Sequence, residues 1–402
     1  AGFCDRLRSS FSAFLLSLTQ QLGQRYSCLA MGSTDCVLRT LVALFFATVF
    51  GLGAAFYEEI ARQVGLATPS EKRPGAIILR EDIFKDAPFS QCHASTIVET
   101  KSGLVAAWFG GTEEENPDVG IWLSHHDGSA WSAPAEVASG RGSKGERQPC
   151  WNPVLFLPRE GPLLLFYKVG PSPSRWWGMI TASEDDGLTW AAPQRLPEGI
   201  YGPIKNHPLE FSDGTILCGS STERGGWRVH FEWTSDRGRT WERTDAINDG
   251  KAFGVIQPAL LRIGERSVLA LLRSTSERVY GTWSEDKGRT WTPPKPLSLP
   301  NPNSGLDAVT LRDGRHVLVC NPTTRGRSSL SVFICVDGNT WNPILILEDE
   351  RGAEFSYPAV IQSRDGLVHI TYTWKRRTIR HVVIDLANPD GRDSRNLLFV
   401  VG

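Results

Sequence analysis

The chain is poor in the features that mark several common functional classes. Its formal net charge is −1 over 402 residues, with no basic face or run, which argues against a protein that grips polyanions such as nucleic acid. No glycine-rich phosphate loop and no HExxH sequence occur, so neither a nucleotide cradle nor a zinc-protease helix is indicated. The eight cysteines form no CxxC and no Cys/His cluster with zinc spacing. Five of them, Cys92, Cys150, Cys218, Cys320 and Cys335, lie among the repeats described below, an odd number that cannot close a disulfide framework. Cys92 with Cys150 and Cys320 with Cys335 are the pairs placed to bridge; buried free thiols are the preferred reading. No Asn-x-Ser/Thr sequon with a permitted middle residue is present, so extracellular life gains no support there. No metal site and no cofactor is expected.

What the chain does contain is repetition. SEDDGLTW stands at 183–190, TSDRGRTW at 234–241 and SEDKGRTW at 284–291, and shortened copies close at Trp131 and Trp341. The closing tryptophans are separated by 59, 51, 50 and 50 residues, a period that means one supersecondary unit used repeatedly. Each copy puts a glycine where a tight hairpin needs positive φ, an Asp ahead of it to bond turn amides, and a Trp to cover the turn. These residues read as structural staples rather than catalysts. A second repeat, two apolar runs around a turn, recurs in phase six times: 93–108, 151–167, 206–219, 256–272, 305–319 and 356–372. Two strands from this repeat and two from the bracketing motif give four per unit. Six such units predict an all-β, six-bladed β-propeller over 76–402, with the repeats in about 76–386 and the LLFVVG tail a candidate closing strand.

The N-terminus differs. Residues 1–38 are Ser-rich and basic, 39–57 form a candidate transmembrane or signal-anchor helix, and 58–75 read as a linker. The eighteen uncharged residues 40–57 would span roughly 27 Å as a helix, just short of a bilayer core. Three readings stand: a signal anchor with the propeller lumenal or extracellular, a start at Met31 with a cleaved signal and secretion, and a buried or organellar targeting segment. A single-span membrane association is therefore one of the expectations.

In a propeller the innermost strands begin at one mouth of the channel, so residues far apart in sequence converge there. The strand-start residues, just before Pro or its equivalent, are His93, Asn152, His207 beside Asn206, Gln257, Asp307 and Tyr357. All can bond a ligand; capping of backbone groups is the bland alternative. Nearby loops and strand ends bring Lys205, Arg273, Arg325, Arg327 and Arg376, and the loop 110–120 brings Asp118. Cations around a pocket favour an anionic ligand, and arginine grips carboxylates in bidentate fashion. A Tyr within reach of His and Arg can act as nucleophile or proton donor. The expected partner is an acidic carbohydrate or glycoconjugate.

With its Asp-box turns and the strings HAST, WFGG, GPIKN, GVIQP, NPNSG, FSYP and YTWKR, the chain resembles the sialidase (neuraminidase) superfamily and its BNR-repeat, sialidase-like members. The resemblance implies retaining hydrolysis of a terminal sialic acid: three arginines hold the carboxylate, a Tyr activated by a Glu attacks, and an Asp is the acid/base. Carried over, Arg273 matches the second arginine, Arg327 or else Arg325 the third, Asp118 the acid/base and Tyr357 the nucleophile. The chain departs from the pattern in three places. Cys92-His93 stand where the first arginine belongs, Ile256-Gln257 where the activating glutamate belongs, and Phe355-Ser356 where the family's Tyr-Ser pair belongs. Two further readings follow. One is a polysaccharide lyase acting beside a uronic acid, with His93 and Tyr357 as acid-base groups and Arg273, Gln257 and Asn206 neutralising the carboxylate. The other is a non-catalytic glycan-binding propeller.

Overall fold

The computed structural model describes residues 76–142 and 145–386; the segments 1–38, 39–57 and 58–75 and the tail after 386, with the expectations placed on them, lie outside the described residues. Among the described residues no helix is long and apolar enough to cross a membrane. The chain begins with β1 (Ala76–Asp82) and then builds blades in order. Blade one holds β2 (Gln91–Glu99), β3 (Leu104–Gly111), β4 (Gly120–His126) and β5 (Ala135–Arg141), with the short β6 (Arg147–Gln148) on its edge. Blade two is β7 (Cys150–Phe156), β8 (Leu163–Val169), β9 (Trp177–Ser183) and β10 (Gln194–Arg195). Blade three is β11 (Leu209–Glu210), β12 (Ile216–Thr222), β13 (Arg228–Thr234) and β14 (Glu242–Arg243). Blade four is β15 (Val255–Arg262), β16 (Val268–Ser274), β17 (Arg278–Ser284) and β18 (Lys295–Pro300). Blade five is β19 (Asp307–Thr310), β20 (His316–Cys320), β21 (Ser329–Cys335) and β22 (Asn342–Asp349). Blade six is β23 (Phe355–Gln362), β24 (Val368–Trp374) and β25 (Thr378–Asp385), and β1 is its fourth strand.

The architecture is the six-bladed propeller, all antiparallel within blades. The outer position of blade six is filled from the N-terminal side, where β1 pairs with β25 from Ala76↔Asp385 to Asp82↔Arg380. Arg380 reinforces this seam through Asp82 (3.0 Å) and Glu348 (3.1 Å). This pairing ties the strand that precedes blade one into the sheet of blade six.

The inner strands read as continuous apolar runs because both of their faces are covered by neighbouring blades. LLLFYKV of β8 is buried at every position. The core clusters straddle blade pairs: Val105, Ile121 and Leu155 share one, and Val319, Val360 and Ile370 another. The five cysteines of the described residues are all free and buried, as preferred.

The Asp-box turns are built alike. Ser183 Oγ donates to Asp185 Oδ1 (2.7 Å) and accepts the Gly187 amide (2.7 Å), while Thr189 donates its amide and hydroxyl to the same carboxylate (2.8 and 2.6 Å). Asp236 and Asp286 hold Thr240 and Thr290 in the same way. In these three full copies the bonding Asp is two residues before the glycine, whereas in the shortened copies Asp127 and Asp337 directly precede it. Each indole N–H donates to the glycine carbonyl: Trp190 to Gly187, Trp241 to Gly238 and Trp291 to Gly288. In blade four's turn Trp291 also stacks on Phe231 of blade three, centroids 3.6 Å apart and planes 10° apart, so the turn staples neighbouring blades as well as itself.

The hydrogen bonds from Thr189 and Thr240 pull the carboxyls of Asp185 and Asp236 down to about 2. A folded value below the unfolded one adds stability at neutral pH that is lost on acidification. Acid unfolding followed by circular dichroism should therefore show stability falling as pH drops from about 4 to about 2. Asp286→Ala should cost roughly 1–3 kcal/mol in urea unfolding through its lost charge-assisted bonds; an unchanged midpoint would make the turn dispensable.

Candidate active site at the channel mouth

Four innermost strands slip register at the same place: His93/Thr96 in β2, Trp151/Val154 in β7, Ile256/Ala259 in β15 and Ser356/Ala359 in β23. In each slip one non-glycine residue has positive φ: Ala94 at 57°, Asn152 at 37°, Gln257 at 57° and Tyr357 at 52°. Such bulges re-aim a side chain and tend to sit beside functional sites. In three of the four a proline follows (153, 258 and 358), and a residue without an amide proton fits where the ladder is broken. This corrects one sequence assignment. The equivalent residue in blade one is Ala94, and His93 sits one position earlier, because Ser95 stands where the other blades have proline.

The slips bring Gln257 and Tyr357 together. The Tyr357 hydroxyl accepts from Arg273 Nη1 at 2.5 Å and from Gln257 Nε2 at 3.4 Å. Arg273, at the mouth end of β16, is 7% exposed. Its Nη1 also donates to Gln257 Oε1 (3.3 Å) and its Nε to Asn303 Oδ1 (2.7 Å). Trp227 lies under the guanidinium at 5.0 Å. Among the described residues no carboxylate forms an ion pair with Arg273.

Around the Tyr357 ring stand His93 at 4.1 Å between centroids, the Arg327 guanidinium at 5.6 Å and the Lys205 ammonium at 5.9 Å. Gly305 makes this possible: a Cβ there would meet Tyr357 Cδ2 at 3.0 Å and Cγ at 3.1 Å. Arg327 and Arg376 converge on Glu354, the first through Nη1 at 3.0 Å and the second through Nε at 3.1 Å. Arg376 also pairs with Glu114. Burial works to raise the Glu354 carboxyl, but Arg376 and Arg327, with Ser356, hold it below its ordinary value. Arg376 comes from the β24–β25 turn and its carbonyl accepts the Cys92 amide, so a third guanidinium stands beside the blade-one position where the resemblance places an arginine.

Lys205 acts as an internal tie. It is buried, and its ammonium donates to Asn206 Oδ1 (2.8 Å), to the Leu306 carbonyl (3.3 Å) and to the Pro358 carbonyl, joining blades three, five and six across the channel. Burial, partly offset by Asp307, lowers it to about 8. Asn206 donates to the Gln257 carbonyl at 3.0 Å, and Asp307 accepts the Val360 amide at 2.9 Å, so both brace the inner strands. His93 Nδ1 meets Thr373 Oγ1 at 3.0 Å. Burial first, then Arg376, Arg327, Arg273 and Lys205, hold His93 well below the ordinary histidine value, so its ring is neutral.

Of the residues named from sequence, His93, Lys205, Asn206, Gln257, Arg273, Arg327, Arg376 and Tyr357 form one connected group. Asn152 is buried in its own slip, with no side-chain contact to this group among the described residues. Two others are turned elsewhere. Arg325 has a 90% exposed side chain facing Glu277 at 3.8 Å; Gly326, at φ 71°, turns the chain between it and Arg327. Asp118 is exposed and accepts the Thr112 amide (2.8 Å) and hydroxyl (2.5 Å) of its own loop; it is Glu114 of that loop that reaches the cluster. Thr373, Trp227 and Gly305 were not named from sequence. Their contacts join residues from different blades, and no local pattern marks them.

A large cavity, about 950 Å³, lies elsewhere, at the Asp-box end between blades two and three. Two of its arginines are already paired, Arg159 with Glu210 and Arg237 with Glu160, and its perturbed groups are turn carboxylates. The buried, perturbed cluster is at the mouth.

The fold is that of a sialidase-like propeller with BNR repeats. The chain belongs to the BNR repeat-like domain family, whose model matches residues 102–370. Among solved structures it is similar to a protein of unknown function from Dyadobacter fermentans (TM-score 0.66, 18% identity, 78% of this chain and 99% of that one). It is similar also to NanB sialidase from Streptococcus pneumoniae (0.64, 11%, 78% and 71%) and to the intramolecular trans-sialidase from Ruminococcus gnavus (0.62, 12%, 77% and 99%). At these identities the likeness is one of fold. No curated protein matches the chain by sequence.

Because His93 stays neutral, the unfolded chain takes up a proton below about pH 6.5 that the folded protein refuses. This residue therefore favours the folded state above that pH, and its contribution weakens as pH falls. Imidazole NMR shifts of His93 should stay flat between about pH 8 and 5; a midpoint near the ordinary value of about 6.5 would contradict the burial described.

Proposed function

We propose that the mouth binds the carboxylate of an acidic sugar, sialic acid or a relative, and that the protein is a glycosidase of sialidase type. One observation carries this reading. Arg273 is a nearly buried guanidinium whose hydrogen bonds go only to neutral groups, Asn303, Gln257 and Tyr357. A buried cation without a carboxylate partner is costly, and a ligand carboxylate supplies the missing charge. Arg327 and Arg376 flank it, both already sharing Glu354. With the carboxylate held there, the sugar's anomeric carbon faces the Tyr357 hydroxyl. Two donors at the phenol oxygen hold it in place for attack, in which its proton passes to solvent as the bond to the anomeric carbon forms and the bond to the leaving oxygen breaks. Asp118 is held by Thr112 within its own loop and turned away from this group, so the proton for the leaving oxygen comes from solvent.

A second reading has its own support. Both polar partners of the Tyr357 hydroxyl are donors, and Gln257 is an amide where a carboxylate would take the proton. The phenol proton is then free to bond a ligand, which suits glycan binding without turnover. A lyase using His93 and Tyr357 is the further alternative, separated by its product.

The expected outcome is release of free sugar from a fluorogenic sialoside, lost in Tyr357→Phe with sugar affinity kept within a few-fold. Arg273→Ala should weaken affinity by about 100-fold. Ultraviolet absorbance from an unsaturated uronate would indicate the lyase instead. Binding with no product would indicate the module, and full activity in both variants would remove this site.

A further inference from the structure

Beside the mouth, between blades two and three, is a second cavity of about 430 Å³, within the range of small-ligand sites. It is lined by the β8–β9 loop, the stretch after β10 and the β12–β13 loop. The last residue of β12 is at the same end of the propeller as Arg273, because β12 and β16 are equivalent strands of their blades.

Its chemistry is cationic and aromatic. Arg175, Arg195, Arg224 and Arg228 line it against two carboxylates, Glu198 and Glu223. Among the described residues none of the four arginines forms an ion pair. Arg228 Nη2 donates only to the Arg224 carbonyl (3.0 Å), and its Nε is buried without a partner. The Arg195 guanidinium lies 4.7 Å over the Trp177 ring, which presents a flat apolar body with a charged edge. Burial raises the Glu223 carboxyl, with Arg273 opposing more weakly, so the negative charge on this wall is the less secure one.

The cavity and the mouth meet at the β12–β13 loop. Arg224 and Arg228 line the cavity, and Trp227, between them in the chain, lies under the Arg273 guanidinium at 5.0 Å. A chain of sugars held at Arg273 is thereby led along Trp227 toward Trp177 and the free arginines.

We propose that this cavity is a second subsite, which takes a carboxylate- or sulfate-bearing sugar further along the glycan whose acidic unit sits at Arg273. The proposal rests on the reading of the mouth as an acidic-sugar site, and the test separates the two. Indole NMR resonances of Trp177 and Trp227 report the cavity and the mouth respectively. The full chain is titrated with α2,8-linked disialic acid, with a 6-sulfated N-acetyllactosamine and with monomeric sialic acid. At least one two-unit or sulfated probe should shift Trp177, and which of them does so tells carboxylate from sulfate. Arg195→Ala combined with Arg224→Ala should weaken that probe at least tenfold and abolish the Trp177 shift. In Arg273→Ala the Trp177 shift should persist. A Trp177 shift without any Trp227 response would keep the cavity and retire the mouth. No Trp177 shift in the wild-type protein with any probe, or equal affinity for the probe in the double variant, would overturn the proposal.

Discussion

A backbone slip, repeated where four inner strands begin, governs what the molecule can do. Each slip holds one residue at positive φ, a conformation that costs free energy for any residue with a Cβ and persists only when packing enforces it. Here the packing is the ring itself: inner strands with both faces covered, and a first strand, β1, that seals the last blade. Without closure the slips have nothing to brace them. With it, Gln257 and Tyr357, a hundred residues apart, meet under Arg273.

The electrostatics follow from that placement. Lys205 directs its donors to an amide and two carbonyls and serves as a tie across the channel, with Asp307 offsetting part of its burial. Arg327 and Arg376 share Glu354. Of the three arginines, Arg273 alone bonds only neutral acceptors. The protein has thus committed most of the positive charge at its mouth and left one guanidinium in search of an anion. The nearby neutral His93 adds a flat polar surface without adding charge.

Much of this was legible in the sequence. The Asp-box period set the unit length, and the six apolar hairpins set the blade count and marked the inner strands. Arg273 was visible because it ends an otherwise apolar strand, and Tyr357 and Gln257 because each precedes a proline. The misplacements have local causes. Ser95 replaces the proline that would have shown Ala94, not His93, to be the slipped residue. Arg325 and Arg327 stand on either side of Gly326, whose φ of 71° turns the chain between them, and the loop sequence alone does not say which of the two faces the mouth. Asp118 was chosen for its position after Asn-Pro, but the Thr112 hydroxyl and amide capture it. Thr373, Trp227 and Glu223 matter through contacts between blades, where sequence separation hides proximity.

The central claim is that Arg273 waits for a carboxylate. The most direct measurement compares, by calorimetry, a sialic acid glycoside with its methyl ester, which has the same shape without the charge. The acid should bind about a hundredfold more tightly than the ester, and Arg273→Ala should erase the difference. Equal affinity for acid and ester in the wild-type protein would contradict it.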